Sequence, residues 1–231
     1  PPDSSSATFT FTVDPMPGIS PIGEIQGSGA ATPVAGDLVR VRGVVVGDYE
    51  GPGTPTLRGF YLQSLPADSD NDPLTSDAIF VFNNTLPDTD DVDLGDLVTV
   101  TGFAGENQEQ TQITAVLIEV ASSGHSIEPT PVALPWASPD EPERYEGMLV
   151  SVPQTMYVTE YFQTARFGEI VVSSVDHLPQ PTAVVAPGDA AIAMQAANDL
   201  TKLVLDDGIN NQNADPLAMY VNGGLISADN P

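Results

Sequence analysis

The sequence predicts a mainly β protein made of two small units. Short apolar runs that alternate with Thr, Arg or Gly recur along the chain, and this period of two is typical of half-buried strands. Clusters of Gly, Pro and Asp separate the runs and mark turns. One segment, 189–200, has a good helical pattern. The chain has 231 residues, 41% of them hydrophobic, which is enough to bury a core.

Residues 1–21 are predicted to form a linker and an N-terminal strand. Pro1–Ser6 has the composition of a flexible linker. Ala7–Val13 alternates Phe and Val with Thr, which predicts a half-buried strand, and such a strand could also be donated to a neighbouring chain. Pro15–Pro21 ends it.

Residues 22–121 are predicted to form an OB-like Greek-key barrel. Gly43 inside the first strand predicts a bulge or tight bend, as expected where a small barrel curls. Turns are expected at Glu50–Pro55, Leu86–Gly95 and Phe103–Gln110. Five short strands with this spacing are typical of the OB type. The predicted strands are Leu38–Val46, Gly59–Gln63, Ala78–Phe82, Leu97–Gly102 and Thr111–Val120.

Residues 122–143 are predicted to connect the two units, with Trp136 as a packing anchor between them. Residues 144–231 are predicted to be the second β unit, carrying one helix, Asp189–Leu200, capped by Asp189. No closing strand is expected after Leu205, so we expect this unit to be truncated or completed by something outside the chain. Its predicted strands are Tyr145–Val152, Met156–Glu160, Gly168–Ser174 and Leu203–Leu205.

The composition limits the function classes. The net charge is −26 with six Lys and Arg, which argues against tight binding to a nucleic-acid backbone and favours solubility, salt tolerance and divalent cations. Adaptation to salt, as in a marine secreted protein, is the simpler interpretation of this charge. The absence of Cys excludes disulfides and thiolate metal sites. The absence of Cys does not fix the compartment. Few Lys, many Thr, Ser, Asp, Asn and Gly, and a candidate Ca²⁺ loop together favour an extracellular, secreted or cell-surface, protein. No apolar run approaches the roughly 20 residues of a membrane span.

An acidic loop is the best candidate for a metal site. Asp68, Asp70 and Asp72 alternate, and Asp77 follows just before an apolar strand. Crowded carboxylates are unfavourable unless a counter-charge offsets them, and Ca²⁺ takes 6–8 oxygen ligands. The loop departs from the EF-hand pattern at Pro73, and a solvated acidic turn remains the alternative. We therefore predict Ca²⁺ as a cofactor held by these four residues.

Three arginines are the candidate nucleic-acid contacts. Arg40 and Arg42 alternate on one predicted strand, and Arg58 precedes the next, with Tyr49, Phe60 and Tyr61 near them in sequence. Exposed basic and aromatic residues are typical of OB surfaces that bind nucleic acid. The alternative is that these arginines balance local acids, so we expect weak or no direct binding of nucleic acid.

The sequence contains no recognisable catalytic set. His125 and His177 lie in loops without a nucleophile-elbow pattern, and no GxGxxG, P-loop or HExxH motif occurs. Neither histidine can be matched to a nucleophile and an acid. We therefore predict no catalytic residues in this chain.

Several runs together resemble the OB-like region of secreted bacterial nucleases of the ExeM/NucH type. The first are GEIQGSGAATPVAGDLVRVRGVVVGDY, GFYLQSLPADSDNDPLTSDAIFVF and LGDLVTVTG. The later ones are ERYEGMLVSVPQTMYVTEYFQTARFGEIVVSS, QPTAVVAPG and LVLDDG. The match covers the chain from about Ile22 onward.

The resemblance implies a non-catalytic accessory region, for substrate positioning or structure, upstream of a metal-dependent endonuclease domain. That downstream catalytic domain would be its partner, and it would carry the His, Asp, Asn and Glu catalytic set. The family's Asp-rich loop matches Asp68, Asp70, Asp72 and Asp77. The alternative from another class is an extracellular structural or adhesive β module that self-assembles and has no nuclease activity.

Overall fold

The protein is described by a computed structural model. The predicted Ala7–Val13 strand lies outside the described residues. The described residues are 15–50, 57–83, 91–208 and 212–213, with the backbone of 220–221 and 224–225.

The protein is mainly β with a few short helices, as predicted. The strands are β1 (Leu38–Tyr49), β2 (Gly59–Gln63), β3 (Ala78–Phe82), β4 (Leu97–Asn107), β5 (Gln110–Ser122), β6 (Thr130–Pro131), β7 (Val150–Ser151), β8 (Tyr157–Glu160), β9 (Ile170–Ser173), β10 (Lys202–Leu205), β11 (Tyr220–Val221) and β12 (Gly224–Leu225). The helices are α1 (Ile22–Gln26), α2 (Thr164–Phe167), α3 (Pro181–Val184) and α4 (Asp189–Asp199), with a 3₁₀ helix at Glu141–Tyr145.

The first five strands form one sheet in the order β1-β2-β3-β5-β4. Because β1 also pairs with β4, with Val41 opposite Val100, the sheet closes on itself. All its pairs are antiparallel except β3 with β5, which run parallel with Val81 opposite Ile113. Closure leaves the alternate residues of each strand pointing to an inside and an outside.

The interior of the closed sheet is a continuous apolar cluster. Phe60, Leu62, Ile79 and Val81 are fully buried. Helix α1 contributes Ile22 and Ile25 to the same cluster, so it packs against the apolar interior of the sheet. Burial of a large apolar side chain contributes roughly 1.5–3 kcal/mol, so this cluster is the main source of stability of the first unit.

The predicted bounds of β2 and β3 are confirmed, whereas β1, β4 and β5 extend further than predicted. Most of the predicted turn at Phe103–Gln110 is in fact strand. The turn itself is two residues, Gln108 and Glu109, both with positive φ (51° and 66°), the geometry that matches the twist of a hairpin. The residues beyond Gly102 are mostly polar, and the sequence prediction therefore took them for a turn. They form strand because a hairpin that projects into solvent needs no apolar residues.

The predicted distortion of β1 is displaced along the strand. Gly43 keeps a regular register with β4, and the bulge lies between Val45 and Gly47. A Cβ at Gly43 would lie 2.6 Å from the carbonyl oxygen of Gln63. Gly43 therefore permits a close approach of two backbones rather than a bulge.

The second unit has its own small core. Val132, Leu134 and Trp136 are buried together, with Tyr145 and Leu203 packed against them. Trp136 therefore packs within the second unit's own cluster, which has no member in common with that of the closed sheet, rather than between the two units as predicted. The second unit also contains a three-stranded sheet with the strand order β10-β9-β8.

Several predictions about the second unit are wrong in detail. Tyr145–Val152 is not one strand: a 3₁₀ helix ends at Tyr145, and β7 pairs in parallel with β6. Helix α4 is confirmed, but Gly188 occupies the N-cap and Asp189 makes no capping hydrogen bond. It is not the only helix of this unit, because α2 and α3 are also helical, each for a single turn. In the described backbone after Leu205, β11 and β12 pair only with each other.

Candidate ligand-binding site

The first carboxylate of the acidic loop is paired with an arginine. Arg42 Nη2 lies 2.7 Å from Asp68 Oδ1 and 2.9 Å from Asp68 Oδ2, and Arg42 Nε lies 3.1 Å from Asp68 Oδ2. This hydrogen-bonded geometry, together with the charge of Asp68, raises the pKa of Arg42. Arg42 therefore offsets part of the loop's negative charge.

The next two carboxylates hold turns within the loop. Asp70 accepts hydrogen bonds from the Thr75 hydroxyl (2.9 Å) and from the amide of Asp72 (3.0 Å). Asp72 accepts one from the amide of Leu74 (2.9 Å). Asp70 also packs so close to α1 that a Cβ at Gly23 would lie 2.3 Å from its Oδ2. Both side chains thus shape the loop, and Asp70 also docks it on α1.

Asp77 differs from the other three. Its Oδ1 is buried without a hydrogen-bond partner among the described residues. In the same residues no group of three or more His, Cys, Asp or Glu side chains is arranged to hold a metal ion. The four aspartates are therefore not brought together in one cluster, and the Ca²⁺ site stays a prediction from the loop's spacing.

The three candidate arginines occupy different places. Arg40 pairs with Glu119 at 3.0 Å, and Arg42 pairs with Asp68. Arg58 lies beside Gly59, which pairs with Tyr49 at the far end of β1. At about 3.3 Å per residue, the seven residues from Arg42 to Tyr49 span about 23 Å. The arginines do not form one basic patch.

An aromatic row crosses the outside of the closed sheet. The ring centroids of Tyr49 (β1) and Tyr61 (β2) are 5.9 Å apart, and those of Tyr61 and Phe80 (β3) are 5.0 Å apart. Phe82 follows two residues later on β3, under the guanidinium of Arg58 at 5.5 Å. We call these four rings the aromatic row. Arrangements of this kind favour flat or cationic ligands.

One end of the aromatic row is covered by residues 145–149, which we call the strap. The Ser76 hydroxyl donates to the carbonyl of Glu146 (2.6 Å), and the amide of Leu149 donates to Gln63 Oε1 (2.8 Å). Gly147 has φ +71°, and a Cβ there would lie 3.1 Å from the ring of Tyr61. The strap thus fastens the second unit onto β2 and β3.

Glu146 is the half-buried acid of the strap. Its Oε1 accepts a hydrogen bond from the amide of Thr111 at 2.8 Å. Burial, with smaller contributions from the negative charges of Glu143 and Glu106, raises its pKa to about 7, although the Thr111 hydrogen bond opposes this. Glu146 is therefore half-ionised near neutral pH.

The other end of the aromatic row is open and forms a cavity of about 640 Å³. We call it the amide pocket, because four of its lining residues carry carboxamides. Gln110 Nε2 donates to the hydroxyl of Tyr61 at 3.0 Å, which joins the pocket to the row. The lining residues are Leu57, Arg58, Phe80, Phe82, Asn107, Gln108, Gln110 and Gln112.

Sequence reasoning found part of this site and missed the rest. It grouped Arg58 with Tyr49, Phe60 and Tyr61, but Phe60 points into the core. It missed Phe82 and the carboxamides. The signals were the alternation of Ile79 and Val81 with two phenylalanines in β3, and the glutamine-rich run 108–112 that continues into β5.

Neither histidine forms a catalytic arrangement with the residues that the structure describes. His125 Nε2 lies 2.8 Å from Ser122 Oγ, and no carboxylate partner of His125 is found within the described part of the chain. The amide of His177 donates to Asp176 in an exposed loop. The geometry gives neither ring an acid to orient it.

Comparison with known proteins adds no assignment. No protein-family model matches the chain, and no curated protein is significantly similar to it. Among the described residues no helix is long and apolar enough to cross a membrane. The class of site therefore rests on the geometry, which is that of an open, ligand-sized cavity on the outside of a closed sheet.

Proposed function

We propose that the first unit is an OB-type barrel and that the chain is a non-catalytic accessory region of a secreted bacterial nuclease. The strand order β1-β2-β3-β5-β4, the closure by β1 and β4, and the parallel β3–β5 pair support the OB assignment. OB barrels are five-stranded Greek-key barrels that bind oligonucleotides and oligosaccharides.

The position of the amide pocket is the observation that carries this proposal. OB barrels bind ligands on the face of strands 2 and 3, between the β1–β2 and β4–β5 connections. Here Phe80 and Phe82 come from β3, Arg58 from the residue before β2, and Gln108 from the β4–β5 turn. This correspondence supports the proposal, and we assign the pocket the role of positioning a polymeric substrate.

The catalytic step would belong to a downstream domain of the same polypeptide. This part of the proposal, and the extracellular location, rest on the resemblance of the sequence to secreted nucleases. The charge of −26 agrees with a module that holds its substrate weakly and locally. A weak contact suits positioning, because the polymer must move on after each cleavage.

The proposal is tested by DNA retention. Sheared DNA with single-stranded and duplex stretches is passed over the immobilised chain at low salt. We expect measurable retention, about tenfold weaker for Phe82→Ala because a lost stacking contact costs about 1–3 kcal/mol. The same DNA should stay uncleaved in Mg²⁺ or Mn²⁺. Absence of retention, or cleavage by the pure chain, would contradict the accessory role.

Ca²⁺ is part of the proposal on the evidence of the loop spacing alone. A bound ion would raise the free energy of unfolding by RT ln(1 + [Ca²⁺]/Kd), about 2.7 kcal/mol at one hundred times Kd. We expect melting several degrees lower in chelator than in millimolar Ca²⁺ at constant ionic strength. Asp70→Ala should remove most of this difference. Identical melting under both conditions would show a solvated acidic turn.

The self-assembling module remains the second candidate because of the second unit's surface. Tyr161 and Phe162 are 76% and 81% exposed, which is unusual for adjacent aromatic residues. A mass that rises with protein concentration, without any DNA retention, would favour this function.

A further inference from the structure

Another cavity lies in the second unit, on one face of the sheet β10-β9-β8. Its volume is about 380 Å³, in the range of pockets that hold one small molecule. Its lining comes from β8, from the segment that leads into α3, from one side of α4 and from the start of β10. All of these lining residues lie within the described range 91–208. We call this cavity the second-unit pocket.

A β-bulge in β8 turns Glu160 toward this pocket. The register of β8 against β9 shifts after Val158, so Thr159 is an extra residue. Glu160 consequently pairs with Val171. Without the extra residue Glu160 would pair with Ile170 and point to the opposite face, where Ile170 is buried. Bulges often lie next to active sites, where they re-aim a side chain in this way.

The charge of Glu160 is not offset by a basic side chain. All six Lys and Arg of the chain lie in the described residues, and none of them forms an ion pair with Glu160. Lys202 is the one cation among the described lining residues. Its Nζ lies 2.5 Å from Asp199 Oδ1, and Gln195 donates to the same oxygen at 2.8 Å. Lys202 is therefore already compensated by a neighbouring acid.

Lys202 is also far from Glu160. Lys202 pairs with Ser173 and Glu160 with Val171, so the two side chains share a face but lie on opposite sides of β9. With strands about 4.8 Å apart and about 3.3 Å per residue, their Cα atoms are about 12 Å apart. Over this distance in water two unit charges interact by less than RT. The Glu160 end of the pocket thus attracts a positive charge, as does the chain as a whole at −26.

An exposed ring and an apolar wall make the site suitable for an organic cation. Phe162 follows two residues after Glu160, lines the same pocket and is 81% exposed, so its ring is open to a ligand. Aromatic rings attract cations, and quaternary ammonium ions are recognised in this way. Leu178, Pro179 and Pro181 form the apolar wall. A hydrated metal ion has no use for such a wall, whereas an alkyl group packs against it.

Hydrogen bonds fix the walls of the second-unit pocket. The amide of Leu178 donates to the Thr159 hydroxyl at 2.7 Å, so the bulge also holds the apolar wall in place. Gln195 and Asn198 lie three residues apart on α4 and share one face of the helix. The Asn198 carboxamide makes no hydrogen bond to another described residue. It can therefore bind a neutral polar group of a ligand.

We infer that the second-unit pocket binds a small organic ammonium ion. The charged head lies against Glu160 and the ring of Phe162, the aliphatic body lies along the apolar wall, and Asn198 binds a polar substituent. This site is separate from the amide pocket, so its failure would leave the proposed function standing.

The experiment follows the amide signals of ¹⁵N-labelled protein by NMR during titration at constant ionic strength. The ligands are choline, n-butylammonium and 3,3-dimethyl-1-butanol, which is choline with the positive nitrogen replaced by carbon. We expect both ammonium ions to give saturable shifts at residues 159–162 and 195–198. The alcohol should bind about tenfold more weakly, because it keeps the shape of choline but loses both the ion pair and the cation–π contact.

Variants identify the pocket as the place of binding. Glu160→Gln and Phe162→Ala should each weaken choline binding about two- to fivefold, the usual effect of one exposed ion pair or cation–π contact. Glu128→Gln removes the same charge from an exposed loop, and Tyr161→Ala removes a ring that is 76% exposed but outside the described lining. Both controls should leave binding unchanged. Equal losses in the control and pocket variants would show a general attraction to the acidic surface and overturn the inference.

Lys202→Gln tests the sign of the ligand's charge. The substitution leaves Asp199 without its cation, so choline should bind as tightly as before or more tightly, whereas a ligand held through a carboxylate or phosphate would bind less tightly. Weaker choline binding in this variant would overturn the inference. In the wild type, tighter binding of butyrate or maltose than of choline, or no saturable shift with either ammonium ion, would do the same. None of these outcomes bears on the DNA retention test.

Discussion

Replacing Phe60 with alanine is expected to lower the free energy of unfolding by about 3–5 kcal/mol, the usual cost of emptying a buried phenylalanine site. Phe60 is fully buried at the centre of the closed sheet, and the sheet cannot collapse onto the cavity because every strand is held by two neighbours. Urea unfolding followed by far-ultraviolet circular dichroism measures the loss.

The same substitution at Phe162 is the matched control. Phe162 is 81% exposed, so its removal should change stability by no more than about 0.5 kcal/mol. Trp136, the single tryptophan, reports separately on the second cluster. If the strap couples the two units, its fluorescence transition in Phe60→Ala shifts together with the circular dichroism transition. Equal effects of the two alanine variants would contradict the assignment of the core.

Replacing Glu146 with glutamine is expected to stabilise the protein above neutral pH and to have little effect in acid. Burial raises the pKa of folded Glu146 to about 7, from an ordinary value of 4.5. Below pH 4.5 the carboxyl is protonated in both states. Between pH 4.5 and 7 the unfolded chain ionises first, so stability falls as pH rises, and above pH 7 the full cost remains. Glutamine still accepts the Thr111 hydrogen bond but carries no charge.

Melting temperatures from pH 4.5 to 8 at constant ionic strength check this prediction. The difference between Glu146→Gln and the wild type should grow by a few degrees across that window and then level off. Glu128→Gln removes a carboxylate from an exposed loop and should show no such growth. A difference that is independent of pH would mean that Glu146 acts only through packing.

The strands of the first unit could be predicted because their signal is local. Phe60 and Leu62 alternate with Tyr61 and Gln63, and this period already tells which residues point inward. A barrel was expected from the number and spacing of the strands, but the pairing that closes the sheet could not be predicted in the same way. Val41 pairs with Val100, and no local pattern records a contact between residues so far apart in sequence.

The candidate site could be predicted only in part from the sequence, for a similar reason. Ala78–Phe82 is apolar throughout, so the sequence does not say which side of β3 faces out, and Phe82 was not singled out. The glutamines at 110 and 112 belong to a hairpin that extends past the core, where polar composition resembles a turn. Arg42 and Asp68 were each noticed, but their pairing depends on how the acidic loop folds back on β1.

The closure of the sheet also sets the order in which the first unit can fold. The β1–β4 and β3–β5 pairs join distant parts of the chain, so loop-closure entropy must be overcome before these pairs stabilise anything. Small barrels dominated by such pairs fold in milliseconds to seconds, far more slowly than helical bundles. During synthesis on a ribosome the β1–β2–β3 meander would emerge first. Its apolar side would stay exposed to solvent until β5 is available to close the sheet.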